Sequence, residues 1–208
     1  MRGAGREVSA FPFAAVIEYR KAVQKDPNFG EAYDRIGLTK MDQNQGIEAY
    51  SLLSRAVELM PDRDEVKVRL ADVSLALAVA DHPQHLQTWY QRVANLADQL
   101  LSKNPNSFDG LRLKGSLALL DRNPKNAIPL FEKANSVKPM SPDAIQGLVQ
   151  ALFLDDQGAD GEKFARQLIA KDAAFGPIYD VLYRQYVAMN RAAARESTRR
   201  KSSFTSSE

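Results

Sequence analysis

Four prolines, Pro27, Pro61, Pro105 and Pro139, divide this chain into intervals of regular length, and this period constrains the fold more than any other feature. The first and last intervals are equal in length, whereas the middle one is longer. A stretch with helical periodicity precedes each proline. Self-similarity at a fixed period is the signature of a repeat architecture, so we expect a row of similar structural units.

A pattern of small, large and small side chains precedes the prolines, at twelve, eight and five positions upstream. This spacing places the three residues on one face of a helix. A small residue there lets a neighbouring helix approach closely, and the large one fills the gap between the helices. The pattern is Ala15, Tyr19 and Ala22 before Pro27, Ala49, Leu53 and Ala56 before Pro61, Ala127, Phe131 and Ala134 before Pro139, and a drifted Val93, Ala97 and Leu100 before Pro105.

Glycine recurs at one register in the first half of two repeats. Gly37 and Gly115 each lie inside a helical pattern, where glycine costs roughly 1 kcal/mol relative to alanine. Their recurrence indicates a close crossing of two helices. The period of about 34 residues, this glycine, the small–large–small helix and the closing proline together resemble the tetratricopeptide repeat (TPR), from Phe11 to about Ala188.

The resemblance implies an all-α fold, a right-handed α-α superhelical solenoid of stacked helix-turn-helix repeats. Both ends of the array stop in the middle of a repeat, so we expect a fragment of a longer bacterial TPR protein or self-association through the incomplete ends. The expected parts are a disordered segment 1–10, a solenoid 11–190 with repeats at 11–29 (half), 30–63, 64–107 (expanded), 108–141, 142–175 and 176–190 (half), and a basic, Ser-rich disordered tail 191–208.

Composition excludes several classes of function. The 208 residues are 44% hydrophobic, too apolar for a disordered chain, and Lys+Arg of 28 against Asp+Glu of 26 gives no field that attracts nucleic acid or anionic lipid. The absence of cysteine excludes disulfides, thiolate zinc sites and cysteine nucleophiles. The longest apolar stretch, Val73–Ala80, is far shorter than the roughly 20 residues of a membrane span. The compartment stays open between cytoplasm and periplasm.

In the resembled family, the first helix of each repeat lines a concave groove that holds peptides or helices of partner proteins. A helical stripe at i, i+3, i+7, i+10 and i+11 of each first helix should face this groove. The resemblance therefore implies a partner-binding groove, and because the sequence has no phosphate-binding glycine motif and no complete set of metal ligands, we expect no cofactor or metal. The groove residues expected are Asp34, Leu38, Met41, Asp42, Val68, Asp72, Leu75, Arg112, Ser116, Leu119, Gln146, Gln150 and Phe153.

Acidic residues outnumber basic ones by eight to two on the stripes of all the first helices. Half of these acids stand at helix starts, where they stabilise the helix dipole. The others are Asp34, Asp42, Asp72 and Asp180, and the two bases are Arg112 and Arg184. Two interpretations stay open: a groove that prefers a basic or mixed apolar segment, or acids that are merely solvated.

Two further functions compete with a peptide-binding scaffold. One is a module that stacks end to end within a bacterial envelope, secretion or polysaccharide-export complex. The other is a metal-dependent enzyme that uses the two histidines of the chain, His82 and His85. No third or fourth ligand accompanies these histidines, so we expect an incidental loop and no enzymatic activity.

The aromatic side chains have packing roles in this interpretation. Trp89 and Tyr90 begin the second helix of the expanded repeat and are expected to pack rather than to form a stacking platform. Tyr179, Tyr183 and Tyr186 follow i, i+4, i+7, the spacing of core residues. These three would be partly exposed if further repeats follow.

Overall fold

The structure, a computed structural model, describes the backbone of residues 13–80 and 83–205 and the side chains of 15–80 and 86–190. This part of the chain forms ten α-helices and no strand, which confirms the all-α prediction. The helices are α1 (Phe13–Lys25), α2 (Gly30–Asp42), α3 (Gly46–Leu59), α4 (Asp64–Ala80), α5 (Pro83–Lys103), α6 (Phe108–Leu120), α7 (Pro124–Val137), α8 (Pro142–Leu154), α9 (Gly158–Lys171) and α10 (Gly176–Thr205).

The helices are divided between two compact units. The first unit ends at Leu113 and the second begins at Lys114, so the boundary lies within α6. In the first unit each of α1 to α4 packs against the next helix along the chain, and α2 also touches α4. In the second unit α7 packs on α8, and α10 packs on both α8 and α9. Each unit thus buries its apolar faces between sequential helices.

All four prolines of the repeat lie in turns between helices. In the turn at Pro27, the Asp26 carboxylate accepts a hydrogen bond from the backbone N–H of Asn28 at 2.9 Å. Asn104 accepts from the N–H of Asn106 in the same way, also at 2.9 Å. An Asp or Asn side chain that bonds its own backbone two residues on closes a tight turn. The same chemistry therefore separates helices at two equivalent places.

The turns inside three helix pairs share a left-handed residue. The turns α2–α3, α6–α7 and α8–α9 each have three residues, and the middle one has a positive φ. These residues are Asn44 at 58°, Arg122 at 53° and Asp156 at 58°. Asn and Asp tolerate this conformation better than other residues because their short side chains bond locally. Arg122 has no such compensation.

Small and large side chains meet where the two helices of a pair cross. A Cβ added to Gly37 of α2 would lie 2.8 Å from Cγ of Leu53 on α3. In the second unit, a Cβ on Gly115 would lie 2.9 Å from the ring of Phe131 on α7. Real Cβ atoms do not approach that closely, so a larger residue at either crossing would require the facing side chain to shift. The close crossings indicated by the recurring glycines are present.

The sizes are reversed at the next crossing. Val149 of α8 stands one repeat period after Gly115, and Ala165 of α9 stands one period after Phe131. Both are completely buried in one core cluster. A large residue on the first helix is therefore matched by a small one on the second. These three crossings, α2–α3, α6–α7 and α8–α9, thus each combine one large and one small side chain, whereas the equivalent buried residues of α4 and α5, Ala71 and Ala97, are both small.

Helix α1 carries the small–large–small pattern but buries it less. Ala15, Tyr19 and Ala22 are half-buried, whereas the matching residues of α3 and α7 are no more than 1% exposed. In α3 and α7 this face is covered by the first helix of the same pair. Among the described residues no first helix covers it in α1.

The two helices of the expanded repeat are longer than the helices of the short repeats. In the expanded repeat, α4 has 17 residues and α5 has 21, compared with 13 in α2 and 14 in α3. The extra length of the expanded repeat thus lies in both of its helices. Asp81 and His82, between them, lie outside the described residues.

Helix α10 continues to Thr205, past the predicted end of the solenoid at residue 190. The expectation of disorder from residue 191 is therefore corrected for 191–205. The reason lies in the run Ala192–Ala193–Ala194–Arg195, since Ala and Arg are among the strongest helix formers. The expected disordered segment 1–10 and the last three residues of the tail lie outside the described residues.

Candidate functional site

Two partly buried ion pairs involve predicted groove residues of the first unit. Asp34 of α2 is 4% exposed, and its carboxylate pairs with the guanidinium of Arg69 on α4. The Asp72 carboxylate of α4 accepts a hydrogen bond from Nη2 of Arg112 on α6 at 2.8 Å. Acid and base are 35 and 40 residues apart in the two pairs. Each pair thus joins the first helices of neighbouring repeats.

These ion pairs bear on the two interpretations of the acidic stripe that the sequence left open. Asp34 and Asp72 are neither uncompensated nor merely solvated, because a guanidinium pairs with each of them. Arg112 is also 3.4 Å from Asp109 and is itself buried. Desolvated charges persist only when they are paired, which explains this arrangement. Asp42, at the end of α2, is exposed.

Half-buried apolar side chains flank the ion pairs. Leu38 and Met41 follow Asp34 at i+4 and i+7, and Val68 and Leu75 lie four residues before and three after Asp72, so they share a helix face with these acids. All four are half-buried. These predicted residues therefore lie on the helix faces that carry the two ion pairs. This surface, called the unit-1 face below, consists of Asp34, Leu38, Met41, Asp42, Val68, Arg69, Asp72, Leu75 and Arg112.

Two of the predicted groove residues of the second unit line a small cleft. Gln150 and Phe153 of α8 line it together with Arg184 of α10, and its volume is about 140 Å³. Leu154, Val181 and Gln185 complete the lining. Sequence reasoning missed Val181 and Gln185 because helical spacing from the start of α10 placed Asp180 on this side. Ser116, Leu119 and Gln146 are half-buried and do not line the cleft.

A larger apolar cavity lies outside the predicted groove. It occupies about 490 Å³ between α1, α2 and α3, with Val23, Ile36 and Ile47 among its lining residues. At its edge, Lys40 and Glu48 form an ion pair at 2.5 Å. The groove was predicted from the first helix of each repeat alone, as the TPR resemblance implies. A cavity beside α1 and α3, which are second helices, was therefore not predicted.

The aromatic residues are placed in two ways. Trp89 is half-buried and meets Tyr50 of α3 edge to face, with ring centroids 4.6 Å apart, which agrees with a packing role. Tyr179, Tyr183 and Tyr186, expected at core spacing, are 43%, 70% and 47% exposed. Ile178 and Val181 are the residues of α10 that enter the core. The tyrosines lie on the opposite side of that helix.

The exposed hydroxyl of Tyr186 contacts an ion pair on α9. It donates a hydrogen bond to Oε1 of Glu162 at 3.1 Å, and Arg166 also binds this carboxylate, at 2.6 Å. The hydrogen bond from Arg166, followed by that from Tyr186, lowers the pKa of Glu162 below its usual value. The same carboxylate raises the pKa of Tyr186.

Within the described residues there is no cluster of three side chains that could hold a metal ion. His82 lies outside the described part of the chain, and the side chain of His85 is not described. Of the helices that were described, none combines the length and the apolar character needed to cross a bilayer.

Comparison with known proteins identifies the architecture. No protein-family model matches the sequence, and no curated protein does either. Among solved structures, TTC0263, a thermophilic TPR protein of Thermus thermophilus, superimposes with a TM-score of 0.65 at 15% identity, over 85% of this chain and 89% of that one. A TPR protein from Parabacteroides merdae gives a TM-score of 0.64 at 18% identity, over 88% of this chain and 69% of that one.

A third solved structure, YrrB, is described as a TPR protein with an unusual peptide-binding site. Its TM-score is 0.51 at 13% identity, over 83% of this chain and 84% of that chain. At such identities the similarity concerns the fold. The helices pack sequentially in the same way as in these helical solenoids. The chain therefore has the fold of tetratricopeptide repeat proteins, as its repeat pattern predicted.

Proposed function

We propose that this chain is a non-catalytic scaffold that binds an extended segment of a partner protein along the unit-1 face. The observation that carries the proposal is the pairing of Asp72 with Arg112, beside half-buried Val68 and Leu75. The ion pairs align neighbouring first helices, and the apolar side chains beside them remain accessible. A preformed surface of this kind loses little conformational entropy when a partner binds.

The charge of the unit-1 face defines the chemistry of the partner. Because Asp34 and Asp72 are paired within the chain, the surface has a weaker negative field than its acidic residues alone would give. Apolar contacts with Leu38, Met41 and Leu75 then supply most of the binding energy, since binding depends mainly on a few desolvated anchors. Exposed Asp42 favours one basic residue in the partner. The expected ligand is an apolar segment with a single basic side chain.

The solved structure of YrrB supports a peptide as the type of ligand, because it is described as having a peptide-binding site on the same fold. The cleft of the second unit is a second contact of a different kind. At about 140 Å³ it is smaller than the roughly 300 Å³ of typical ligand pockets. It accommodates one side chain, and the guanidinium of Arg184 favours an acidic or amide group there.

Selection of random displayed peptides on the whole chain tests the proposal. Enriched peptides should contain apolar residues and a basic residue, and their affinity for the chain is then measured by fluorescence anisotropy. Leu75→Glu should weaken binding at least tenfold, because it introduces a charge among apolar contacts. Val137→Glu is the matched control, since Val137 is an exposed apolar residue of α7.

Two outcomes contradict the proposal. If selection enriches no peptide above a blank surface, the chain does not bind a peptide of this kind. If the enriched peptides bind the unchanged chain and Leu75→Glu with equal affinity, the unit-1 face is not the binding site.

A further inference from the structure

The cavity between α1, α2 and α3 has the size and the lining of a site for a small apolar ligand. Its volume is about 490 Å³, and ligand sites typically measure roughly 300–1,000 Å³. It is called the α1–α3 cavity below, and it shares no lining residue with the unit-1 face. All three helices contribute apolar side chains to it, namely Val23 of α1, Tyr33 and Ile36 of α2, and Ile47 and Leu52 of α3.

The apolar walls of the α1–α3 cavity are only partly covered by the chain itself. Ile36 is 5% exposed and belongs to the packed core, whereas Ile47 is 57% exposed. Val23, Tyr33 and Leu52 are half-buried. A hydrocarbon chain inside the cavity would remove this surface from water, which is favourable in proportion to the apolar area covered. The walls therefore favour an apolar chain as the ligand.

Positive charge prevails among the ionisable side chains of the α1–α3 cavity. These side chains are Arg20, Lys40 and Glu48. Lys40 and Glu48 compensate one another through their ion pair. Arg20 is exposed and forms no ion pair with any other residue that the structure describes. One negative charge on a ligand would balance the guanidinium that remains.

A neighbouring cavity indicates where the charged end of a ligand would lie. It occupies about 320 Å³ between α1 and the turn from α2 to α3. Arg20, Ile36 and Lys40 line both cavities and therefore lie between them. The neighbouring cavity has the more polar lining, which includes Gln43 and Gln45. The anionic head of a ligand would thus stay hydrated beside Arg20, while its apolar chain fills the α1–α3 cavity.

We propose that the α1–α3 cavity binds a carboxylate that carries an unbranched hydrocarbon chain. The planar fork of a guanidinium matches the two oxygens of a carboxylate, with which it forms paired hydrogen bonds. Arg20 leaves a single positive charge to balance, so a carboxylate fits better than the double charge of a phosphate. This inference does not depend on peptide binding at the unit-1 face.

Isothermal titration calorimetry of the whole chain with decanoate tests the proposal. A ligand this small in a cavity that is open on one side should bind with a Kd on the order of 100 µM. Octanoate should bind about three to fifteen times more weakly, because it removes two methylene groups fewer from water. Decyltrimethylammonium has the same hydrocarbon chain with a positive head, and it should bind at least about tenfold more weakly than decanoate because Arg20 repels it.

Two substitutions separate the head of the ligand from its chain. Arg20→Gln should weaken the binding of decanoate about tenfold without weakening that of decyltrimethylammonium, because only the attraction of a negative head is lost. Lys25→Gln is the matched control, since Lys25 is an exposed cation of α1 that lines neither cavity. Ile47→Glu should abolish decanoate binding, because it places a charge against the hydrocarbon chain. Val137→Glu, at an exposed apolar residue of α7, should not. Circular dichroism of each variant confirms that its helices form.

Four outcomes would overturn the proposal. They are the absence of binding heat at about 2 mM decanoate, equal affinity for decanoate and decyltrimethylammonium, unchanged decanoate affinity of Arg20→Gln, and displacement of decanoate by the peptides selected on the chain. In the last case the α1–α3 cavity would be part of a peptide site.

Discussion

Arg112 of α6 donates a hydrogen bond to Asp72 of α4 at 2.8 Å, although only 9% of the Arg112 side chain is exposed. The Asp72 side chain is 37% exposed. The base is thus the buried partner, and its long apolar stem lies within the packed first unit. This pair both positions the unit-1 face and contributes to the stability of that unit.

We expect Arg112→Ala to lower the free energy of unfolding by about 2–3 kcal/mol, because the change removes buried packing as well as the partner of Asp72. Arg166→Ala is the matched control, because its pair with Glu162 has a similar distance of 2.6 Å but Arg166 is 75% exposed. Exposed pairs contribute less than about 1 kcal/mol. Urea denaturation followed by circular dichroism measures both, and equal effects would contradict the role assigned to burial.

The large–small pairing at the α2–α3, α6–α7 and α8–α9 crossings makes a prediction about paired substitutions. Gly37→Val alone should destabilise the first unit by about 1–3 kcal/mol, since its side chain would collide with Leu53. Leu53→Ala alone should cost about 2–5 kcal/mol through the cavity it leaves. The double variant recreates the arrangement of Val149 and Ala165. Its measured destabilisation should fall below the sum of the singles by at least about 1 kcal/mol, whereas strict additivity would refute this pairing.

The left-handed backbone at Arg122 predicts a stabilising substitution. Arg122→Gly relieves a conformation that costs a non-glycine residue roughly 1–2 kcal/mol, less the entropy that glycine adds to the unfolded chain. A net gain of about 0.5 kcal/mol raises Tm by about 1–2 °C. Asn44→Gly, at φ 58°, should gain less because Asn tolerates this region. Thermal denaturation compares the two, and a lower Tm for Arg122→Gly would count against strain there.

The Glu162–Tyr186 contact predicts a specific dependence on pH. The folded pKa of Glu162 is lowered, mainly by Arg166, so its contribution to stability is present above its unfolded pKa and is lost as pH falls through the folded value. The folded pKa of Tyr186 is raised, so its contribution is present below its unfolded pKa and is lost as pH rises through the folded value.

Tyr186→Phe should move the pKa of Glu162 back towards its usual value, because it removes one hydrogen bond to the carboxylate. An NMR titration of the Glu162 carboxyl measures the change. Arg166→Gln provides the comparison and should raise the pKa further, since Arg166 is the larger cause. An unchanged titration curve in Tyr186→Phe would show that the hydrogen bond is not formed in solution.

Local sequence signals predicted the helices well. The turns at the four prolines, the glycines at the crossings and the buried small–large–small faces all depend on residues within one repeat, whose spacing is visible in the chain. The length of α10 past residue 190 also had a local signal in its alanines, which the loss of apolar periodicity obscured. Such features follow from backbone propensity and packing between adjacent helices.

Contacts between repeats were harder to predict. No sequence pattern indicates that Arg69 pairs with Asp34, which lies 35 residues away. The exposed stripes of first helices therefore seemed acidic, although their bases come from neighbouring helices. Tyr183 shows the same limit, because its spacing is that of a core residue while its exposure depends on which helix lies beside it.

Crosslinking from the unit-1 face tests the central claim most directly. A photoreactive benzoylphenylalanine replaces Leu75 in one variant and Val137 in another, and each is irradiated with the highest-affinity selected peptide. The account predicts peptide adducts from position 75, suppressed by an excess of unlabelled peptide, and none from position 137. Adducts from position 137 alone, or equal adducts from both positions, would contradict it.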